Sequence, residues 1–487
     1  MTMTMGALTI GYLQKSPEAG NPHHFEGGRF RVSADSLGEV RIPAGAYYGP
    51  QTRRAVENFP ISGLRLPRRF IRAQALIKAS AAAVHMRLGE LDGRIGSAIV
   101  RAAEEVVEGK WDDQFVVDVY QAGAGTSQNM NANEVIANRA LELLGEPFDN
   151  KKVIHPNDHV NRGQSTNDTI PTAIYISAYE SLREELFPAL DRLFGALYDK
   201  GKEFDPILKS GRTHLQDAVP LRLGQEFMGY AYTVKDAAAA LERASQRLLE
   251  IGIGGNAVGT GVNTRPEYIP MMLEELSRRT GVQWREPSDR FAFMQNPSAA
   301  LAVSGHVREL AVHLIKISSD LRLLSSGPNT GLAEIRLPAV QPGSSIMPGK
   351  VNPVIPEMLY MVCCQVIGND TAIQTAMAGS QLEINVMMPV ITHSLLQSIS
   401  IMSNAVQVFV DKCVVGITAD SERCAYWADR SLAMVTLLNP LIGYDRAAEI
   451  ARRSLETGRS IKDLVAAGGL VPQEQWDELI LNSTGKS

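Results

Sequence analysis

Thiols are scarce in this chain: its 487 residues include only Cys363, Cys364, Cys413 and Cys424. No Cys-x-x-Cys pair occurs, so zinc ribbons and thioredoxin-like redox motifs lack their ligands. So few thiols suit a reducing cytoplasm. An excess of basic charge is missing too. Lys and Arg number 48 against 53 Asp and Glu, which leaves no stripe for nucleic acid and no cluster for an anionic membrane. The most apolar late stretch, residues 395–415, is interrupted by Gln397, Ser398, Ser400, Ser403, Asn404, Gln407, Asp411 and Lys412. A membrane span needs about 20 predominantly apolar residues, so neither membrane nor nucleic acid is an expected partner. The first ten residues are apolar but carry no Lys or Arg, the positive end a signal peptide requires.

Nucleotide and metal signatures are also incomplete. Gly343-Ser-Ser-Ile-Met-Pro-Gly349-Lys350-Val351 imitates a phosphate loop, but five residues separate its glycines instead of four. Val351 stands where the magnesium-binding hydroxyl belongs. Gly123-Ala-Gly125 and Gly259-Thr-Gly261 lack the third glycine of a dinucleotide fingerprint. His155 and His159 are four apart, but Pro156 between them argues against a helical metal pair. No metal site and no cofactor are expected.

What the chain does have is helical period. Val303, Val307, Leu310, Leu314, Ile317, Leu321 and Leu324 alternate steps of four and three, as do Leu395, Ile399, Met402, Val406, Phe409 and Cys413. Leu182, Leu186, Leu190, Leu193 and Leu197 nearly repeat the pattern, with a kink expected at Pro188. Val234, Ala238, Leu241 and Leu248 form a fourth stripe. Such stripes predict a mostly α protein built on a long helical bundle. Val312, Ile315, Ile401 and Val408 add apolar shoulders, so these helices are central in their bundle or covered by another subunit. The expected organisation is a mobile tail over 1–28, a mixed, mostly helical domain over 29–165, the bundle over 166–418 and a small helical domain over 419–487. His23 and His24 in the tail are read as solvated rather than metal-bound.

Four polar islands interrupt the helical pattern: residues 123–134, 164–168, 211–217 and 341–353. Runs of small hydroxyls and amides compete with helical backbone bonds, so caps and turns are their ordinary place. Four long, amide-rich islands exceed that need. Hydroxyl and amide donors with one or two cations are what holds a dicarboxylate without burying many charges.

The fourth island, GSSIMPGKVNP, resembles the signature of the fumarase/aspartase superfamily, and the other three match that family in order, from about Arg29 to the end. The resemblance implies a three-domain, mostly α fold whose bundle forms a twenty-helix core in a homotetramer, with each active site built from three subunits. GAGTSQNMNANEV, with Ser127 after Thr126, and QSTND, with Thr166, are similar to the aspartate ammonia-lyase branch. GGNAVGTG at 254–261 and HPNDHVN at 155–161 are closer to fumarate hydratases. Asn329, Thr330 and Met388 depart from the aspartase pattern.

The implied reaction is reversible anti elimination of ammonia from L-aspartate to fumarate. Alternatives are hydration of fumarate to L-malate and elimination from another substituted succinate. The resemblance makes Ser344 the base, with Ser345 as the competing assignment, and sets His214 leaning on Glu334. It gives Lys350 and Asn352 a substrate carboxylate, with Thr126, Ser127, Ser165 and Thr166 as further donors. Thr213, His214 and Asn167 fall around the departing amino group. The loop 341–353 reads as a lid.

Overall fold

The computed structural model describes residues 29–485; the tail expected over 1–28, with His23 and His24, lies outside them. The described chain opens with an antiparallel hairpin, β1 (Phe30–Asp35) against β2 (Gly38–Pro43). Four helices follow: α1 (Pro50–Asn58), α2 (Arg68–Arg87), α3 (Gly93–Val107) and α4 (Thr126–Leu143). Ala75, Ala79 and Ala82 of α2 share a core with Ile99, Val106, Val135 and Ile136. Their small side chains let the helices approach closely.

The bundle comes next. α5 (Thr166–Ser181) continues through a π-turn at Leu182–Leu186 into α6 (Phe187–Glu203). The bend expected at Pro188 takes this form one turn earlier. Pro188 has no N–H for the carbonyl four residues back, and the wider turn, closed by Phe187 N–H on Leu182 O, absorbs the mismatch. The hairpin β3 (Leu208–Thr213) and β4 (Gln216–Arg222) leads into α7 (Leu223–Ser245). The shorter α8 (Tyr268–Thr280) and α9 (Arg290–Gln295) precede α10 (Ser298–Leu324). A two-residue strand, β5 (Ile335–Arg336), then α11 (Val354–Ala378) and α12 (Met388–Lys412) complete this part.

All four apolar stripes point into the bundle. Val303, Leu314, Ile399, Phe409, Leu193 and Leu241 are wholly shielded, and α10 packs on both α7 and α11. The shoulders behave differently: Val312 and Val408 are 49% and 40% exposed. Contrary to the sequence expectation, Met388–Gly416 is long and apolar enough to cross a membrane, because its serines and amides barely lower its mean hydropathy of 1.3. Half of that apolar window is buried inside the chain, where α12 is a core helix.

β6 (Thr418–Ala419) pairs with β5, and α13 (Ser421–Arg430) still packs on β3. A separate small core of Met434, Leu438, Ile450, Leu464 and Trp476 holds α14 (Asn439–Ile442), α15 (Tyr444–Thr457), α16 (Ile461–Ala467) and α17 (Gln473–Ser483).

The first island is less irregular than the sequence implies. Residues 126–134 lie inside α4, and Asn129, Asn131, Asn133 and Glu134 are buried. Most of these groups glue other segments on. Asn131 bonds Val116 N–H and Gln114 O. Glu134 accepts from the N–H groups of Gly49, Gln51 and Thr52 and from the Thr52 hydroxyl. Glu134→Ala would leave those buried donors without an acceptor. We expect a loss of about 3–5 kcal/mol, read as a lowered urea midpoint.

Candidate active site

Two ends of the bundle carry the islands. At the first end, the N-termini of α4 and α5 meet. Ser165 caps α5 in a capping box: its hydroxyl accepts Asn167 N–H (3.2 Å), and Asp168 accepts Ser165 N–H (2.9 Å). The second Asp168 oxygen accepts from Gly254 and Asn256 N–H (3.0 and 2.9 Å), and Asn167 Nδ2 donates to Ala257 O (2.8 Å). The 254–261 segment is thereby fixed against the QSTND island. Ala124, in left-handed backbone, donates its N–H to Val386 O (2.8 Å), which sets the start of α12 beside Thr126. Thr126 is exposed, Ser165, Thr166 and Asn167 half-buried and Ser127 buried.

Beneath these hydroxyls lies a cation that the sequence reading did not single out. Lys78 of α2 is wholly shielded and donates to Oδ1 of Asn129 and of Asn161, both at 2.8 Å. Burial pushes its ammonium down to about 7, and pushes the nearby Asp168 carboxyl up to about 7. Gln74, bonded to Gln128, and His85, bonded to Arg162 O, continue the same polar seam of α2. The available signal was modest: Gln74, Lys78 and His85 at helical spacing on an otherwise alanine-rich apolar face.

The other end carries the third and fourth islands. Thr213 and Gln216 close a two-residue turn whose His214 and Leu215 both adopt left-handed backbone (φ 57° and 59°). Such turns ordinarily take Asn-Gly, so His-Leu at this tip holds a backbone conformation unusual for its side chains. His214 and Thr213 are exposed there. The expected His214–Glu334 pair does not form within the chain. Glu334 is wholly shielded and held by Arg212 Nη1 (2.9 Å) and Lys209 Nζ (3.1 Å), both on β3. A buried lysine and a half-buried arginine satisfy its carboxylate, while His214 lies at the exposed tip of the turn. Glu334 is therefore a tie between β3 and β5, not the histidine's partner within this chain.

In the loop 341–353, Ser344 Oγ accepts two backbone N–H groups, from Ile346 (3.3 Å) and Met347 (3.1 Å). These head a turn rather than a helix; α11 begins only at Val354. Donors aimed at Oγ stabilise a developing alkoxide. Ser345 receives no such bond among the described residues. Asn352 Nδ2 donates to Gly343 O (3.0 Å), and a Cβ at Gly343 would meet Lys350 O at 1.9 Å, so only glycine lets the loop fold back. Lys350 is exposed, with no carboxylate in ion-pair reach among the described residues.

The two ends do not touch. From Thr166 to Glu203 the helix is continuous, about 55 Å at 1.5 Å per residue. Arg222, at the start of α7, pairs with Asp205, and Arg322, at the end of α10, approaches Glu357 of α11 (3.9 Å), so β3, β4, Glu334 and the 341–353 loop share the far end. Among the described residues no contact joins Thr126, Ser165 or Thr166 to His214, Ser344 or Lys350. Pro156, read as arguing against a helical metal pair of His155 and His159, begins a single π-turn in which the His155 backbone N–H donates to His159 Nδ1 (2.8 Å). Among the described residues, no group of three or more His, Cys, Asp and Glu side chains converges as a metal site would require.

The helical bundle thus carries polar helix termini at one end and a serine–lysine loop at the other. Comparison with known proteins assigns the family. Residues 38–368 match the family described as Lyase, and residues 434–481 match the fumarase C C-terminus. An aspartate ammonia-lyase from a Bacillus species is 47% identical over 92% of this chain and 96% of its own. A class II fumarate hydratase from Halobacterium salinarum is 48% identical over 92% and 95%. The solved structure of a fumarate lyase:delta crystallin from Brucella melitensis is 44% identical with a TM-score of 0.91, covering 94% of this chain and 100% of that one. The chain belongs to the fumarase/aspartase superfamily.

Ser344→Ala should lower turnover by about 10²–10⁴ with little change in substrate binding or melting temperature. Ser345→Ala should stay near wild type. Steady-state kinetics with thermal melting checks both; normal turnover in Ser344→Ala would remove it from the chemistry.

Proposed function

We propose that the protein is an aspartate ammonia-lyase whose active site is completed only between subunits of a homotetramer. The observation that carries the assembly is the distance of about 55 Å between the Thr166 end and the hairpin end of one chain. Carboxylate donors at the first end, where Lys78 is wholly buried, need a cation open to the ligand and a base, and Lys350 and Ser344 stand on the far end. A second copy packed antiparallel on the bundle brings the ends together. The exposed Val312, Val408, Tyr360 and Met361 on α10, α12 and α11 are the apolar surface such packing would cover.

In the completed site, Lys350 and Asn352 hold one carboxylate, and Thr126, Ser127, Ser165 and Thr166 supply hydroxyl donors. Ser344 Oγ takes the C3 proton. The electron pair moves into the adjacent carboxylate as an enediolate, whose two charges the surrounding donors stabilise. Collapse expels ammonia from C2, beside Thr213, His214 and Asn167, and leaves fumarate. Closure of the 341–353 loop excludes water. Ser127 after Thr126, and Thr166 in QSTND, favour the amino substrate. The fumarase-like 254–261 segment, bonded through Gly254, Asn256 and Ala257 to the same island, favours malate as the second reading. A cytoplasmic setting suits the four free thiols.

Incubation with L-aspartate and separately with L-malate, following fumarate absorbance, should show faster release from aspartate; faster release from malate would replace the first reading by the second. The assembly has its own test. Thr166→Val and Ser344→Ala chains, each impaired alone, should recover about a quarter of wild-type activity when co-expressed. In random mixtures each site draws the two residues from different chains. Absence of recovery, or a fully active monomer in light scattering, would overturn the shared site.

A further inference from the structure

We propose that Lys78 and Asn129 are positioning residues that aim the Thr166 hydroxyl hydrogen at the substrate carboxylate. The bonds run in one direction. As an ammonium, Lys78 Nζ has only hydrogens to give, so the amide oxygens of Asn129 and Asn161 both face it. That fixes which way each amide is turned. Asn161 Nδ2 donates to Gln164 O (3.1 Å), and Asn129 Nδ2 is left to donate to Asn161 Oδ1 (3.2 Å) and Thr166 Oγ1 (3.1 Å). Thr166 Oγ1 therefore accepts on its inner side. Its own hydrogen points to no acceptor among the described residues, and the side chain is half-buried at the first position of α5. The hydroxyl is a donor held ready for an anion.

Neither positioning group touches the ligand. Lys78 and Asn129 are buried at 0% and 1% exposure, and each acts through the next hydrogen bond. The direction of the relay holds even without the charge on Lys78, because Gln164 O can only accept from Asn161 Nδ2, which leaves Asn161 Oδ1 to accept from Asn129 Nδ2. While it is charged, each bond in the line polarises the next and makes the terminal hydroxyl a stronger donor. A serine or threonine free to rotate would spend part of its time with the oxygen toward the carboxylate; this one does not.

The inference rests on the reading of Thr166 as a carboxylate donor, and the test separates the two. Succinate binding to the assembled enzyme is measured by calorimetry, with kcat/KM for L-aspartate and L-malate alongside. Thr166→Val should weaken succinate by about 10- to 100-fold, the scale of one hydrogen bond to a charged group; Thr166→Ser should restore it. Asn129→Asp presents an oxygen to Thr166 in place of the amide nitrogen and turns the hydroxyl hydrogen inward. It should weaken succinate as much as Thr166→Val does, yet add less than about twofold in the Thr166→Val background. Lys78→Met repeats the cycle should Asn129→Asp melt well below wild type. Unchanged binding in Thr166→Val overturns the reading of Thr166 and the relay with it. Weakened binding in Thr166→Val with wild-type binding in Asn129→Asp overturns the relay alone. An equal penalty from Asn129→Asp in both backgrounds marks a merely structural residue and likewise overturns it.

Discussion

A helix advances 1.5 Å per residue, and the bundle of this protein inherits that spacing as its governing constraint. The run from Thr166 through Glu203 fixes the QSTND island and the β3–β4 hairpin at opposite ends of a rod. Everything chemical is arranged around that separation. One end offers hydroxyls and amides at the meeting of α4 and α5; the other offers Ser344, Lys350 and the strained His214 turn. Each end lacks what the other has, and the exposed valines, tyrosine and methionine along the rod are where the proposed neighbours would lie.

The chain deals with charge differently at the two ends. At the hairpin end, the buried charges are paired: Glu334 lies between Lys209 and Arg212, and Lys209 also reaches Glu226 (2.8 Å). This ties β3 to the bundle and leaves Lys350 outside the network, open to an anion. At the other end, Lys78 and Asp168 are each solvated by neutral groups, amide oxygens for the cation and backbone N–H groups for the carboxylate. A dianionic ligand would there meet oriented dipoles rather than exposed charges. Such dipoles need no reorganisation as charge develops during reaction.

Aspartate ammonia-lyase and fumarate hydratase relatives stand at nearly equal identity, so overall likeness does not decide between the two leaving groups. Met388, which departs from the aspartase pattern, is wholly buried in the first turn of α12 near the Ala124–Val386 bond. Its side chain packs within the chain at the start of that helix. Asn329 and Thr330, the other departures, are exposed at the far end.

The bundle was legible from sequence because burial follows helical period: a residue every three or four positions must be apolar to face the core, and all four stripes do. The islands were legible because such runs of small polar residues interrupt the apolar period of the helices. Other features left no local trace. Glu334 pairs with Lys209 and Arg212, more than a hundred residues earlier, and a motif centred on His214 gave no means of seeing that the carboxylate was already taken. Lys78 is one cation in an alanine-rich helix, given meaning only by two asparagines that other segments deliver to it. The amides of α4 read as a site, while most of them fasten neighbouring segments. Sequence by itself determined which faces of the long helices are buried and where the polar islands lie, since both follow from side-chain type and spacing. Only the tertiary structure decided which islands meet, because the length of a folded helix, unlike its order in the chain, sets them about 55 Å apart.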